Sequence, residues 1–198
     1  MSAGSRADAA LILLDMHAAI VGWHGDPGAA AVRAAAQALA AARRAGLHVF
    51  HVLPRYRPGY PEIPGGEPFD AVRAGGLFRE ADAAAAVPAE LVPRADEPVV
   101  AKFRYSPFFA NDLLMMLGMR GVRSLALAGL ATSGVVLSAI RDAWDRDFRI
   151  TVLADACADP DPEVHRLLIE KVFPPQAAIR TVAQWSAQLR TDAVEGQR

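Results

Sequence analysis

Short apolar segments alternate along this chain with longer amphipathic or alanine-rich segments. Such alternation is typical of strand and helix units repeated around a parallel sheet. Six segments are nearly continuous in hydrophobicity, as expected of strands buried on both faces: 10–15, 47–53, 98–102, 124–129, 149–155 and 178–182. The pattern predicts an α/β fold with helices on both sides of the sheet.

Helical signals lie between these strands, in 28–45, 111–120, 134–147 and from 162 onward. Gly46 and Gly121 stand where helix C-caps belong, and Pro162 follows Asp161 as a first-turn proline behind a capping carboxylate.

The stretch 54–97 is rich in proline and glycine and has no long periodic segment. Long loops of this kind often carry function. We expect the tail after Leu189 to fray.

The composition fits one globular domain over residues 1–198, with 53% hydrophobic and 22% charged residues. A formal net charge of -1 gives no electrostatic reason to bind nucleic acid. The apolar run 9–14 is short and flanked by Asp8 and Asp15, unlike a signal peptide or a membrane span. We therefore expect a cytoplasmic protein with neither a nucleic-acid nor a membrane partner.

Cysteine and lysine are scarce in this chain. The single cysteine, Cys157, excludes an intrachain disulfide and a zinc site built from several cysteines. Lys102 and Lys171 are the only lysines. Because arginine supplies charge elsewhere, a retained lysine is a candidate for a role that needs an amine, and retention by chance is the alternative.

Asp15 and Lys102 end the first and third predicted strands, at the edge where doubly wound sheets bind ligands. A carboxylate behind four apolar residues is partly desolvated, which raises its pKa towards values useful for proton transfer. The alternatives are a turn-capping aspartate and a surface lysine. An aromatic cluster follows the lysine: Phe103, Tyr105, Phe108 and Phe109.

The fourth strand runs into a turn at Gly129, after which Thr132, Ser133 and Gly134 introduce a helix. Free backbone amides at such a helix start can stabilise an oxyanion. Ser133 or Ser138 is a candidate nucleophile on residue type alone. No histidine lies nearby in sequence and no G-x-S-x-G elbow is present, so this support is weak.

Asp15, the VVAK segment at 99–102 and the GLAT segment at 129–132 together resemble the isochorismatase-like hydrolase superfamily. The resemblance covers residues 9–185. It also rests on RPGYPE at 57–62, LADACAD at 153–159, the PEVH segment, and a helix ending in RDA. It implies a three-layer α/β/α fold whose six-stranded parallel sheet has the order 3-2-1-4-5-6.

That strand order would bring Asp15 close to the turn after the fourth strand. The resemblance further implies a cis peptide bond between Leu130 and Ala131. Since its strand would lie at the sheet edge, the reach of Lys102 to Asp15 rests on the resemblance alone.

One position departs from the superfamily pattern. Its cysteine hydrolases carry the nucleophilic cysteine three residues after the threonine, where this chain has Val135. Valine cannot attack a carbonyl, so the thioester route is closed. True isochorismatases also resemble this arrangement, since they lack the cysteine and hydrolyse a vinyl ether with the aspartate and lysine. We expect Cys157 to be buried and inert.

The resemblance assigns catalysis to Asp15 and Lys102, with water as the nucleophile. Residues expected at the pocket or oxyanion site are Leu130, Ala131, Thr132 and Val135. Further candidates for the pocket are His17, Ser133 and Phe108.

We expect no metal and no cofactor, because RYRPGYPE stands where metal-binding relatives place an aspartate and histidine cluster. We expect His48 and His51 to be packed or surface groups and His165 to face solvent. The expected ligand is a small-molecule substrate, and the resemblance implies a homodimer or homotetramer. Two alternatives stay open: a degenerate member that binds without turnover, and a serine-dependent amidase-like hydrolase.

Overall fold

A computed structural model describes residues 8–81 and 87–195. The strands are β1 (Ala9–Leu14), β2 (His48–Pro54), β3 (Val99–Lys102), β4 (Ser124–Leu130), β5 (Arg149–Ala158) and β6 (Ala178–Arg180). The α-helices are α1 (Ala18–Trp23), α2 (Gly25–Ala45), α3 (Phe69–Ala74), α4 (Leu113–Met119), α5 (Leu137–Trp144), α6 (Pro162–Leu167) and α7 (Val182–Glu195). Short 3₁₀ and π-helical turns span Ala89–Leu91, Thr132–Val136 and Leu168–Val172.

The six strands form one parallel sheet of order β3-β2-β1-β4-β5-β6, which confirms the predicted topology. At the centre of the sheet, Leu14 of β1 is in register with Val52 of β2 and Gly129 of β4. The strand order reverses between β1 and β4, so the connections leave in opposite directions and open a crevice at the carboxyl ends of these strands.

Side chains of β1 alternate between two apolar cores, one on each face of the sheet. Leu11 and Leu13 pack in the core that contains residues of α2 and α7, whereas Ile12 and Leu14 pack in the core that contains residues of α4 and α5. Burial of each such leucine contributes about 1.5–3 kcal/mol relative to an exposed side chain. Near-continuous hydrophobicity in the sequence thus corresponds to burial on both faces.

The predicted caps are present, because Gly46 ends α2 with a left-handed φ of 70° and the Asp161 side chain accepts hydrogen bonds from two amides of α6. The stretch 54–97 contains the short helix α3, which the sequence pattern does not predict. Helix α7 continues to Glu195, past the predicted start of a frayed tail. Within the described residues, no helix is both long and apolar enough to cross a membrane.

Candidate active site

Asp15 and Lys102 form a buried ion pair at the carboxyl edge of the sheet. Asp15 Oδ2 lies 2.8 Å from Lys102 Nζ, and neither side chain is more than 9% exposed. Strand β2 separates their strands, so the lysine stem has to reach across a neighbouring strand. The ammonium also donates to the Arg104 carbonyl at 2.9 Å, which fixes its position.

The second oxygen of Asp15, Oδ1, is buried and accepts no hydrogen bond within the described part of the chain. Burial raises the pKa of Asp15 above its ordinary value, and the nearby Lys102 ammonium opposes this rise without cancelling it. The backbone of Asp15 has a φ of 54°, in the left-handed region that aspartate tolerates better than most residues. This turn leaves a carboxyl group that can hold a proton and has a free oxygen.

A cavity of about 360 Å³ opens above the ion pair. Its wall is mostly apolar, and its aromatic members are Trp23, Tyr56, Phe69, Phe78 and Tyr105. Three of these rings come from the stretch 54–97, which the sequence marks as a candidate functional loop. The charged groups of the lining are Asp15, Lys102 and Arg104, and the size and apolar wall of the cavity suit a small molecule.

Tyr56 is a buried cavity residue that the sequence analysis did not single out. Burial, together with the Asp15 carboxyl, raises the pKa of Tyr56 to about 12. Its phenol therefore stays protonated at neutral pH and is available as a hydrogen-bond donor. The clue in the sequence is the series of aromatic residues within an otherwise irregular loop, at 56, 60, 69 and 78.

The turn after β4 lies beside the cavity rather than in its wall. A Cβ at Gly129 would lie 2.7 Å from the Leu14 Cβ, so the close approach of β1 requires glycine there. The following peptide bond, Leu130-Ala131, is cis, at the position that the resemblance implied. Val135 is buried within the same apolar core as Leu14. The residues lining the cavity include neither Val135, Thr132 nor the cis peptide.

Two amides at the start of the turn are occupied, which corrects the expectation of free amides at Ser133 and Gly134. The Ser133 amide donates to Asp159 Oδ2 at 2.7 Å, and the Gly134 amide donates to the Ala131 carbonyl at 3.2 Å. Asp159 is itself buried at the end of β5. An amide with a short bond to a carboxylate is not available to stabilise an oxyanion, so neither of these two amides fills that role.

Contrary to the expectation from the sequence, His165 does not face solvent. It is half-buried, and its Nδ1 lies 2.8 Å from the Thr132 hydroxyl. Burial lowers the pKa of His165 below its ordinary value, so the ring is neutral at pH 7. The cause of the error is topological: α6 follows β5, and β5 is the neighbour of β4, so this helix begins beside the turn after β4.

Further predicted candidates lie outside the cavity lining. His17 caps α1, where its Nδ1 accepts from the Ala19 amide, and its ring contacts Phe78 edge-on at 4.8 Å. Phe108 is buried and stacks on Phe148, with ring centroids 6.2 Å apart.

Neither candidate serine lines the cavity. The Ser138 hydroxyl donates to the Gly134 carbonyl, and Ser133 is exposed. Cys157 is buried, and burial raises the pKa of its thiol to about 12. The thiol is therefore protonated at neutral pH, and its burial is as expected.

Across residues 8–81 and 87–195, no three histidine, cysteine, aspartate or glutamate side chains form a group suited to hold a metal ion.

The chain is similar to known hydrolases along most of its length. The family model described as the isochorismatase domain matches residues 9–184. An uncharacterized isochorismatase family protein, YecD of Escherichia coli O157:H7, is 28% identical over 177 residues, which is 88% of this chain and 93% of that protein.

Two further relatives differ in what they support. The ureidoacrylate amidohydrolase RutB of Stutzerimonas stutzeri (strain A1501) is 36% identical over 140 residues, which is 64% of this chain and 56% of that protein. The crystal structure of a cysteine hydrolase from Pseudomonas syringae pv. phaseolicola 1448A has a TM-score of 0.86 at 22% identity and covers 96% of each chain. At that identity the second likeness supports the fold alone.

Proposed function

Because the chain belongs to the isochorismatase family and is a hydrolase of small molecules, we propose that Asp15 catalyses hydrolysis by proton transfer, with water as the nucleophile. The single observation that carries this proposal is the geometry of the buried pair. Asp15 uses one oxygen for Lys102, at 2.8 Å, and keeps the other free at the base of an apolar cavity.

The chemistry that suits this pair is the hydrolysis of a vinyl ether. Asp15 in its acid form donates a proton to the terminal vinyl carbon, and the ether carbon becomes an oxocarbenium ion. Water adds to that carbon and gives one proton back to the Asp15 carboxylate. The resulting hemiketal passes its hydroxyl proton to the ether oxygen as the C–O bond breaks, which releases the alcohol and leaves a ketone. Lys102 stabilises the carboxylate while the proton is away, since an opposite charge nearby favours the ionised form.

Amide hydrolysis is the second candidate, and the similarity to an amidohydrolase favours it. Val135 argues against it. The cysteine hydrolases that this chain resembles place their nucleophile at that position, and valine offers neither a lone pair nor a proton. Since Cys157 is buried with a pKa of about 12, it offers no replacement.

The two chemistries release different products, so one assay separates them. Purified protein is supplied with a monoanionic enolpyruvyl ether, 2-methoxyacrylate, or with the monoanionic amide ureidoacrylate, and pyruvate and ammonia are measured. We expect pyruvate from the ether and no ammonia from the amide. Ammonia release without pyruvate would contradict the proposal, and binding of both compounds without product would favour a degenerate, non-catalytic member.

A further inference from the structure

We propose that Arg104 binds a carboxylate of the substrate, so that this enzyme selects small monoanionic acids with a flat, apolar or unsaturated body. This inference rests on the proposed function, because it concerns the same cavity. Arg104 follows β3 by two residues and lines the cavity together with Asp15 and Lys102. It is half-buried, so its guanidinium is only partly solvated.

The lining of the cavity has one more positive than negative charge. Asp15 and Lys102 compensate each other at 2.8 Å. Arg104 forms no ion pair with any carboxylate of the described residues, and the nearby Glu62 carboxylate pairs with Arg57 instead. The lining therefore carries one uncompensated positive charge beside mostly apolar walls, where an anion interacts more strongly than it would in water.

The second step is the orientation of the guanidinium. Its Nη1 donates to two backbone carbonyls, those of Glu62 at 2.6 Å and Phe103 at 2.7 Å. Its Cζ lies 5.7 Å from the ring centroids of both Phe69 and Phe109. These contacts hold the group in place and leave Nε and Nη2 without partners in the described chain. That pair of N–H groups is the edge of arginine that binds a carboxylate through two parallel hydrogen bonds.

The chemical class of the ligand follows from charge and wall composition. A single uncompensated charge matches a monoanionic carboxylate better than a phosphate dianion, which would leave one negative charge unpaired in the cavity. The aromatic rings of Tyr56 and Phe78 favour a flat body attached to that carboxylate.

Benzoate and benzamide provide the test, because they share shape and differ in charge. Their binding to the full chain is measured by titration calorimetry, and phenyl phosphate serves as a third probe. We expect wild type to prefer benzoate over benzamide by about 10- to 100-fold, the range for a charge-assisted bond. Arg104→Gln should abolish this preference and leave benzamide binding unchanged, which also shows that the variant is folded.

Two further variants complete the design. Arg104→Lys keeps the charge without the two-pronged edge, so we expect an intermediate preference. Arg166→Gln removes an exposed arginine of α6 that pairs with Glu170, and it should retain the full preference of wild type.

Several outcomes would overturn the inference: equal binding of acid and amide, no binding of benzoate, a preference that survives Arg104→Gln, or tighter binding of phenyl phosphate. The proposed function is tested separately. Asp15→Asn should lose turnover and keep the benzoate preference, so failure of one idea leaves the other measurable.

Discussion

Two buried carboxyl groups lie at opposite edges of the sheet and have opposite properties. Asp15, at the carboxyl edge, is 7% exposed, and Glu97, just before the start of β3 at the amino edge, is 8% exposed. Burial raises the pKa of Asp15, whereas the pKa of Glu97 falls to about 2 despite burial. Their exposure is similar, but Asp15 lies deeper in the protein and has fewer hydrogen-bond partners than Glu97, and both differences separate the two pKa values.

Glu97 has partners for both of its oxygens. Arg43 donates to Oε1 from Nε at 2.7 Å and to Oε2 from Nη2 at 2.8 Å. Oε2 also accepts from the Arg94 amide at 2.9 Å and from His51 Nε2 at 3.3 Å. These bonds stabilise the charged form of Glu97 by more than burial destabilises it. Glu97 therefore stabilises the fold, whereas Asp15, with one oxygen free of hydrogen bonds, is the group to which we assign proton transfer.

Replacing each carboxylate by its amide tests this difference between Asp15 and Glu97. We expect the largest effect, on turnover, at Asp15. Asp15→Asn keeps the volume and can still accept from Lys102, but it cannot transfer a proton. We expect kcat to fall by about 10²-fold or more while the protein stays folded. Steady-state kinetics beside circular dichroism checks this. Turnover within twofold of wild type would assign catalysis to another group.

At the amino edge we expect the converse result from Glu97→Gln. The variant leaves the Arg43 guanidinium without its counter-charge, which should lower the free energy of unfolding by about 2–4 kcal/mol. Tm should fall by roughly 5–15 °C for a chain of this size. Turnover per folded molecule should stay unchanged at low temperature, because Glu97 does not line the cavity above Asp15.

The matched control is Asp96→Asn, which changes the neighbouring acid. Asp96 is exposed and forms no ion pair with any described residue. The free energy of unfolding of its variant should therefore lie within a few tenths of a kcal/mol of the wild-type value. If both variants lose the same stability, the Glu97 network has no special role.

Acid titration separates the two carboxyl groups by the sign of their effect. The pKa of Glu97 in the fold, about 2, lies below its ordinary 4.5, so its stabilisation is complete above pH 4.5 and disappears as pH falls towards 2. The slope from this group is at most about 1.4 kcal/mol per pH unit. Denaturant unfolding across this window should show that slope in wild type and not in Glu97→Gln.

Asp15 should act in the opposite sense, because its raised pKa means that the folded protein binds the proton more tightly. Its contribution therefore destabilises the fold as pH rises from the ordinary aspartate pKa to the raised value. Asp15→Asn should make the acid-induced loss of stability larger, not smaller. A smaller loss would show that the pKa of Asp15 is lowered in the fold.

The amino-acid pattern predicts one edge of the sheet better than the other. Asp15 and Lys102 each directly end an apolar run, so a rule about strand ends is enough to select them. The partners of Glu97 come from α2, β2 and a loop, and no local pattern connects them. For the same reason, the sequence pattern does not select Arg104. Its proposed role depends on whether the fold brings a carboxylate close enough to pair with it.

The smallest expected effect concerns Cys157. Experiments on this residue test whether a group buried at the centre of the sheet is also reactive. Cys157 is buried and lies in register with Gly129 of β4. Burial raises the pKa of its thiol to about 12, so almost no thiolate forms at neutral pH. Iodoacetamide reacts with the thiolate and should leave wild-type turnover unchanged. Cys157→Ala removes the only thiol of the chain and should have the same kcat as wild type. Mass spectrometry measures labelling while turnover is followed. Loss of turnover in step with Cys157 labelling, slowed by substrate and absent from Cys157→Ala, would place the thiol in the site and contradict catalysis by Asp15 and water.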